Sequence, residues 1–342
     1  MLAVVKEAPQ VGAIAVRDVA PPTPGAGEAL ISVKATSICG SDLHIWHWDP
    51  IFHAVMTTPR VIGHEFAGVV ARSADAGVPE GTRVIAESVR YCGACPRCRR
   101  GRTSICDNFR VRGVHIDGGM AEQTVIGTNS LHTIPDGLSF EHASVVEPAS
   151  VATHAVLERS GVRPGDLALV TGPGPIGLLT AQIARAAGAE VVVTGAEVDQ
   201  EVRLVTAEAL GFKTINTARE SVNEGLKRVV GRDRADLAIE CAGTQGGFES
   251  AVQGVEKGGT IVIIALYSGA FPIDPSVAVR RELDLKASYI ANWDDYERAI
   301  QFIADGTIDV GPLIRTYPLS DAVLAMEHAL AKNVMKAVLQ VH

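Results

Sequence analysis

The sequence predicts an α/β protein with two domains, a β-rich one followed by a doubly wound parallel sheet. Three observations support this prediction. At 342 residues the chain is too long for one ordinary domain. About the first 150 residues carry short valine- and isoleucine-rich runs broken by glycine and proline, which favours strands and turns. Beyond them, apolar strands alternate with alanine-rich segments of helical spacing.

The β-rich part contains four runs that predict strands. They are EALISVKATSI, VIGHEFAGVVA, GTRVIAE and AEQTVIGT. The second part opens with a strand over Leu167–Thr171, a helix to about Ala187 and a strand over 191–194, which together form a βαβ unit. Further strand and helix segments follow. The tail predicts two amphipathic helices, YERAIQFIADGTI and LSDAVLAMEHALA, and a last strand, MKAVLQV.

Composition excludes several classes of partner. The chain is 47% hydrophobic and 20% charged, with a net charge of −8, which argues against nucleic acid or an anionic membrane surface. No apolar run reaches the ~18 residues of a membrane helix. The first residues, MLAVVKEAPQ, lack the regions of a signal peptide. We therefore expect a cytoplasmic protein, in which close cysteines indicate metal binding or catalysis more than disulfides.

The turn of the βαβ unit carries the pattern GxGxxG at Gly172, Gly174 and Gly177. The first glycine makes the tight turn, the second lets backbone approach a pyrophosphate, and the third lets helix and strand pack closely. The helix start then offers free N–H groups to the phosphates. The pattern alone is weak, but its position between a strand and a helix predicts a dinucleotide site.

Metal-ligating residue types are scattered upstream of this turn. Cys39 lies in ICGSDLH, His64 and Glu65 lie in GHEFAG, and Glu147 lies in VVEPAS. Thiolate, imidazole and carboxylate are the usual ligands of catalytic zinc, which keeps one position open. Each residue alone would more often be structural, but their combination with a dinucleotide turn favours a catalytic zinc.

At this point the sequence resembles a known family. CGSDLH, GHEFAGVV, a loop with four cysteines, EPASVATHA and GPGPIG occur in the order typical of zinc-dependent medium-chain alcohol dehydrogenases, and the resemblance covers the whole chain. GHE, EP and HIWHWD are similar to the sorbitol (polyol) and threonine dehydrogenase branch. The resemblance implies a GroES-like catalytic domain over 1–152, a Rossmann domain over 153–288, and a segment over 289–342 that returns to the catalytic domain. It also implies an active site in the cleft between the domains and a homo-oligomer, a dimer or a tetramer.

The resemblance assigns a second, structural zinc to the loop with four cysteines, Cys92, Cys95, Cys98 and Cys106. The residues support this independently, because four thiolates close a tetrahedral shell and leave no position for substrate. A redox CxxC is the alternative, but no thioredoxin-like unit surrounds these cysteines. We therefore expect two zincs per chain, one catalytic and one structural.

The resemblance also implies roles in hydride transfer from an alcohol. Cys39 and His64 are implied zinc ligands, and it stays open whether Glu65 or Glu147 completes the shell directly. Zinc would favour the alkoxide, from which hydride leaves more easily. Ser41 and His44 match the family's proton relay, in which histidine suits the outer end because its pKa lies near neutral. Without the resemblance, Ser41 would read as a turn hydroxyl and His44 as a surface histidine.

The choice between NAD and NADP depends on the end of the second strand. Gly195 stands where an acid normally bonds the ribose of NAD. We favour NAD, with Glu197 or Asp199 replacing that acid, and keep NADP as the alternative. The residues expected to line the cofactor are Gly172, Gly174, Pro175, Ile176, Gly177, Gly195, Glu197, Asp199, Cys241, Ala242, Gly243, Ala265 and Leu266.

The predicted function is a zinc-dependent dehydrogenase of a small polar secondary alcohol. Polyols such as sorbitol or erythritol rank first, because carboxylates at the metal can bond a second hydroxyl. L-Threonine is the alternative, and a simple secondary alcohol is another if Trp46, Trp48 and Phe52 line an apolar pocket. A zinc-free reductase and a non-catalytic dinucleotide-binding protein compete less well, because Cys39, His64 and the cysteine loop are all present.

Overall fold

A computed structural model describes residues 1–342, and in it the chain divides into two compact units. The first unit comprises 1–150, 291–306 and 313–342, and the second comprises 151–290 and 307–312. The short piece 307–312 was expected with the first unit. It lies in the second because Asp309 and Gln182 exchange two hydrogen bonds, of 2.7 and 3.2 Å.

Antiparallel strands dominate the first unit. Its strands are β1 (Leu2–Lys6), β2 (Ile14–Asp18), β3 (Glu28–Ser37), β4 (Arg60–Val61), β5 (Glu65–Ser73), β6 (Arg83–Ala86), β7 (Val89–Arg90), β8 (Arg110–Val111), β9 (Gln123–Gly127), β10 (Leu131–Thr133), β17 (Ile314–Pro318) and β18 (Lys336–Gln340). β3 is central to the seven-stranded sheet and pairs with β5, β9 and β18. Alternate residues of β3 are buried, as expected for a strand that packs one face on a core.

Six helices and two smaller sheets complete the first unit. The helices are α1 (Gly40–His47), α2 (Pro50–His53), α3 (Phe140–Ala143), α4 (Val146–Thr153), α10 (Trp293–Ala304) and α11 (Ala322–Leu330). β1 pairs with β2 and β4, and β7 pairs with β8. The two predicted C-terminal helices and the last strand are therefore present.

The second unit is a six-stranded parallel sheet with helices. Its elements are β11 (Leu167–Thr171), α5 (Pro175–Ala186), β12 (Glu190–Gly195), α6 (Val205–Ala209), β13 (Lys213–Asn216), α7 (Val222–Val230), β14 (Ala235–Glu240), α8 (Gln245–Gly254), β15 (Val255–Ile263), α9 (Pro275–Arg281) and β16 (Asp284–Ala287). The strand order is β13-β12-β11-β14-β15-β16, which is the dinucleotide-binding order. The predicted fold class is confirmed. None of the helices has the length and apolar character that crossing a bilayer requires.

Candidate active site

Three predicted metal ligands come together in the first unit, and strand pairing explains why. Ser37, the last residue of β3, pairs with Glu65, the first residue of β5. Cys39 follows β3 as the N-cap of α1, and His64 directly precedes β5. Donor atoms of Cys39, His64 and Glu65 all lie within 4.8 Å of one another. We call these three residues the buried metal group.

Glu147, the fourth predicted ligand, lies in the first turn of α4 and is 7% exposed. It is not one of the three residues of the buried metal group. Burial raises the pKa of Glu147, the charge of His64 lowers it, and the charge of Glu65 raises it. The Glu147 carboxyl group therefore interacts electrostatically with two residues of the buried metal group. Ser88 also lowers this pKa by hydrogen bonding. Glu147 therefore stands beside the buried metal group as a second carboxylate.

The sequence analysis missed Lys336. Its Nζ lies 2.5 Å from Oε2 of Glu65 and donates a hydrogen bond to the carbonyl oxygen of Ile38 at 2.9 Å. The Ser37 hydroxyl also donates to Glu65. Burial lowers the pKa of Lys336, but Glu65 and Cys39 outweigh this and raise it above its usual value. A lysine inside the apolar strand MKAVLQV was the available signal, because such a residue is rarely buried without a partner.

The charges of this region suit a divalent cation. Asp42 is fully buried and accepts a hydrogen bond from the Cys39 amide at 2.9 Å. Four acidic groups thus share a small volume with the cationic Lys336 and with His64; they are Cys39, Asp42, Glu65 and Glu147. His64 also has a buried ring nitrogen, Nδ1, without a hydrogen-bond partner. A sulfur, a nitrogen and a carboxylate oxygen are the donor types of catalytic zinc, so the buried metal group fits that ion.

The predicted relay residues lie on α1. Ser41 Oγ is 3.4 Å from Nε2 of His64, so this hydroxyl touches the buried metal group. His44 Nδ1 is 2.6 Å from Oδ2 of Asp49. Because residues three apart lie on one helix face, Ser41 and His44 share a side of α1. A relay from one to the other stays a prediction.

The four predicted structural ligands form a compact cluster, the cysteine loop, made of Cys92, Cys95, Cys98 and Cys106. Sulfur separations along the cluster are 3.5 Å for Cys95–Cys98 and Cys106–Cys92, 3.9 Å for Cys95–Cys106 and 4.0 Å for Cys92–Cys98. A tetrahedral site with Zn–S bonds of about 2.3 Å has sulfurs about 3.8 Å apart. The cluster therefore has the dimensions of a zinc site closed by four thiolates.

Backbone amides support negative charge on these sulfurs. Amides of Cys95 and Cys98 donate to the preceding sulfur at 3.4 and 3.5 Å, and the amide of Asn108 donates to Cys106 at 3.3 Å. Such bonds lower the pKa of Cys95 to about 6 and lower that of Cys92, whereas burial and the neighbouring thiols raise the pKa of Cys98 to about 12. Thiolates bind zinc and thiols do not, so this loop is prepared for metal.

The glycine turn of the second unit has the geometry that its pattern predicts. Gly172 has φ of 96°, and a Cβ there would lie 2.7 Å from Cα of Ala242. A Cβ on Gly177 would collide with the carbonyl oxygen of Gly172. Gly174 caps α5 without any side-chain hydrogen bond, and Pro175 follows at the first helical position. The helix start thus keeps free amides for a phosphate.

The end of β12 is more crowded than the sequence suggests. A Cβ on Gly195 would lie 2.9 Å from Cγ of Pro173, so no larger residue fits without adjustment. Glu197 accepts from Arg219 at 2.6 and 2.9 Å. Asp199 accepts from the amide of Ala196 at 3.1 Å and from Arg203 at 3.3 Å. Both acids named for the ribose therefore already contact an arginine or a backbone amide.

The loops after β14 and β15 are held by a buried carboxylate that the sequence analysis missed. Glu240 accepts from the amides of Ala242 and Gly243 at 2.8 and 3.0 Å, and from the hydroxyl of Tyr267 at 2.7 Å. These bonds fix the segment Cys241–Gly243 and connect it to the loop that contains Ala265 and Leu266. Glu240 ends a parallel strand beside the crevice where this sheet type binds dinucleotides. A charged residue at the end of an apolar strand was the available signal.

Comparisons with known proteins agree with this geometry. Residues 25–136 match the alcohol dehydrogenase GroES-like domain, and residues 175–305 match the zinc-binding dehydrogenase family. A 2-dehydro-3-deoxy-L-galactonate 5-dehydrogenase of Pseudoalteromonas atlantica is 34% identical over 87% of this chain and 86% of its own length. An L-threonine 3-dehydrogenase of Rhizobium johnstonii is 33% identical over 92% of this chain and 90% of its own.

A solved structure extends the likeness to the whole fold. A zinc-binding dehydrogenase of Sinorhizobium meliloti 1021 bound to NADP has a TM-score of 0.89 and 32% identity, covering 99% of this chain and 98% of that one. Zinc and NAD(P) are therefore the cofactors of this enzyme. The chain belongs to the zinc-dependent medium-chain alcohol dehydrogenase family.

Proposed function

We propose that the protein oxidises a small secondary alcohol whose neighbouring carbon carries a hydroxyl or amino group. The observation that supports this most is the second carboxylate, Glu147, buried beside the buried metal group. Because Lys336 and Ser37 already engage Glu65, Glu147 is the carboxylate available to a second polar group of the substrate. A substrate without that group forgoes a hydrogen bond to a buried carboxylate, which costs about 1–3 kcal/mol.

Among such alcohols we rank vicinal diols first, as polyols or as the corresponding sugar acids. The two relatives are named for a galactonate derivative and for L-threonine. Both names describe secondary alcohols with a polar neighbour, and the first describes a polyhydroxylated chain. L-Threonine ranks second, because Glu147 can bind its ammonium group but its carboxylate also requires a partner.

In this proposal the chain's own residues bind the alcohol and carry away its proton. Cys39 and His64 would hold the metal, and the ion pair with Lys336 holds the Glu65 side chain in place. Zinc, when bound, lowers the pKa of a coordinated hydroxyl group. Ser41 Oγ accepts the proton and passes it toward His44, whose Nδ1 faces Asp49 and whose Nε2 is therefore the nitrogen that exchanges protons with water. The glycine turn positions the nicotinamide cofactor that accepts the hydride.

A substrate panel tests the proposal directly. Sorbitol, erythritol, L-galactonate, L-threonine and 2-propanol are compared by kcat/KM with NAD and with NADP. We expect the best vicinal diol to exceed 2-propanol by at least about tenfold, which corresponds to ~1.4 kcal/mol. Turnover of 2-propanol above every diol and above L-threonine would contradict the proposal.

For the cofactor we propose NAD, with Glu197 as the acid that bonds the ribose. Both acids already accept hydrogen bonds, Glu197 from Arg219 and Asn216 and Asp199 from Ala196 and Arg203. Glu197 is better suited because its side chain is 58% exposed and accessible to a ligand, whereas Asp199 is 6% exposed. Glu197→Gln should lower the NAD-to-NADP ratio of kcat/KM by about tenfold, since a charged hydrogen bond contributes ~1.5–3 kcal/mol. Asp199→Asn is the matched control and should change the ratio less. An unchanged ratio in Glu197→Gln would exclude this role.

We also propose that the enzyme is a homo-oligomer. β16 is an edge strand of the six-stranded sheet, with Leu285 45% exposed, and Val279 of the adjacent α9 is 76% exposed. Such an edge pairs readily with another chain. The particle mass measured by light scattering should be a multiple of the chain mass. Leu285→Lys should lower the measured particle mass. A monomeric parent would contradict this. The cytoplasmic location stays a prediction.

A further inference from the structure

A cavity of about 420 Å³ lies in the first unit, and none of its lining residues belongs to either metal group. Its lining residues come from β1, β3, β4, β7 and β9 and from the segments 19–22 and 112–118, together with Met1 and Pro59. Cavities of this volume accommodate small organic ligands. Nothing in the dehydrogenase reaction described above uses this cavity.

The wall of the cavity is largely apolar. Valine, proline and isoleucine side chains contribute to it, and they are Val5, Val19, Pro22, Pro59, Ile116 and Val125. Such a wall favours a ligand with an apolar part, because each Å² of apolar surface removed from water contributes about 25 cal/mol.

The charged residues of the lining leave one positive charge in excess. Arg60 pairs with Asp117 at 3.0 Å, so these two groups neutralise each other. The amino group of Met1, also in the lining, pairs with Asp18 at 2.7 Å. Arg90 and Arg112 also line the cavity, and neither forms a salt bridge. Against them stands Glu28, whose Oε2 accepts from the amide of Gly25 at 2.9 Å. The remaining charge favours an anion.

Among the lining residues, Arg112 most strongly indicates that the cavity binds a ligand. It is only 2% exposed, its Nε donates to the carbonyl oxygen of Glu87 at 3.2 Å, and its Nη2 has no hydrogen-bond partner. Burial lowers the pKa of Arg112 to about 10, and the nearby Arg90 lowers it as well. The Glu87 carboxylate offsets part of this cost electrostatically, but it forms no hydrogen bond with Nη2. A bound carboxylate would supply the missing bond and relieve the repulsion from Arg90.

We propose that this cavity binds a small organic monocarboxylate, with its carboxylate at Arg90 and Arg112 and its apolar part against the valine and proline wall. The single negative charge of a monocarboxylate matches the single excess positive charge of the lining. A doubly charged phosphate would add repulsion from Glu28. The apolar wall distinguishes the ligand from acetate or other very small anions.

The experiment is a fluorine NMR titration of the zinc-loaded full chain with 4-fluorobenzoate. Arg90→Gln should weaken binding by about tenfold, the factor that ~1.4 kcal/mol gives. Arg110→Gln is the matched control, because Arg110 pairs with Arg90 across β7 and β8 but does not line the cavity. It should leave the affinity within about twofold of the parent, as expected for an exposed charge outside the site.

Further arms separate this cavity from the buried metal group, since carboxylates also bind zinc. Cys39→Ser should bind 4-fluorobenzoate as the parent does, and inorganic phosphate should bind more weakly at equal ionic strength. Arg112→Lys keeps the charge but loses the planar fork, so it should weaken binding even if the fold is unchanged. No binding by the parent, equal binding by Arg90→Gln, loss of binding in Cys39→Ser, or tighter binding of phosphate would each overturn the proposal.

Discussion

The two metal groups of the first unit use the same thiol chemistry in opposite surroundings. The cysteine loop takes all its donors from one stretch, residues 92–106, and Cys92 is exposed. The buried metal group takes its donors from the starts of α1 and β5, which β3 brings together. The first is closed by four sulfurs, whereas the second has three donors and further carboxylates nearby. A shell of four thiolates leaves no ligand position for substrate, whereas a shell with three protein donors leaves one open.

Their electrostatics differ in the same way. Backbone amides support the charge of the cysteine loop. The buried metal group instead relies on a side chain from the far end of the sequence, Lys336. We therefore expect that removing one side chain affects the stability of the cysteine loop and that of the buried metal group differently.

The largest expected effect concerns the stability of the cysteine loop. Cys106→Ser should lower the free energy of unfolding by several kcal/mol, because the binding energy of a structural zinc, about 10–16 kcal/mol in small domains, contributes to folding. Cys241→Ser, outside both metal groups, is the control. Thermal melts with and without a chelator measure this. Equal melting of Cys106→Ser and the parent would show that the loop does not carry a structural metal.

A second prediction compares the ion pairs beside the two groups. Lys336→Met should destabilise the fold by about 3–5 kcal/mol, because it leaves the buried Glu65 without its cationic partner. Arg97→Gln removes the exposed pair with Asp107 at 3.4 Å and should cost less than about 1 kcal/mol. Denaturant unfolding of both variants, with Lys336→Arg as the variant that keeps the charge, measures the contrast. Similar losses in the free energy of unfolding for Lys336→Met and Arg97→Gln would contradict the expected contrast between the two ion pairs.

A smaller effect is expected at Glu240, a buried carboxylate with no metal group beside it. Burial raises the pKa of Glu240 despite its three hydrogen bonds. A raised folded-state pKa contributes stability that is present below the unfolded value, about 4.3, and is lost as pH rises through the folded value. Glu240→Gln should therefore gain stability relative to the parent as pH increases from about 4 toward neutrality. The free energy of unfolding of both proteins, measured at several pH values, tests this. A value for Glu240→Gln that falls relative to the parent as pH rises would contradict the prediction.

The sequence predicted most of what is local. The strand over Leu167–Thr171 was predicted at its observed bounds, and the cysteine loop and the glycine turn were predicted from short spacings. Local patterns of this kind depend on neighbours a few residues apart, which a sequence displays directly. The grouping of Cys39, His64 and Glu65 came from the resemblance to a family, and their spacing alone did not predict it.

What the sequence did not show depends on tertiary packing. The pairing of Lys336 with Glu65 depends on β18 lying beside β3, and the hydrogen bonds of Glu240 depend on adjacent loops of the sheet. The crowding around Gly195 by Pro173 and Leu204 is likewise invisible in the pattern VVVTG. These contacts join residues far apart in the chain, so no local periodicity indicates them.

We propose that the buried metal group, and not the cysteine loop, is the catalytic site. The most direct test is the zinc content of Cys39→Ser, measured together with its turnover and its melting temperature. We predict about one zinc per chain where the parent has about two, no measurable turnover, and a melting temperature close to that of the parent. Full turnover with one zinc lost, or unfolding of Cys39→Ser while Cys106→Ser stays as stable as the parent, would contradict the account.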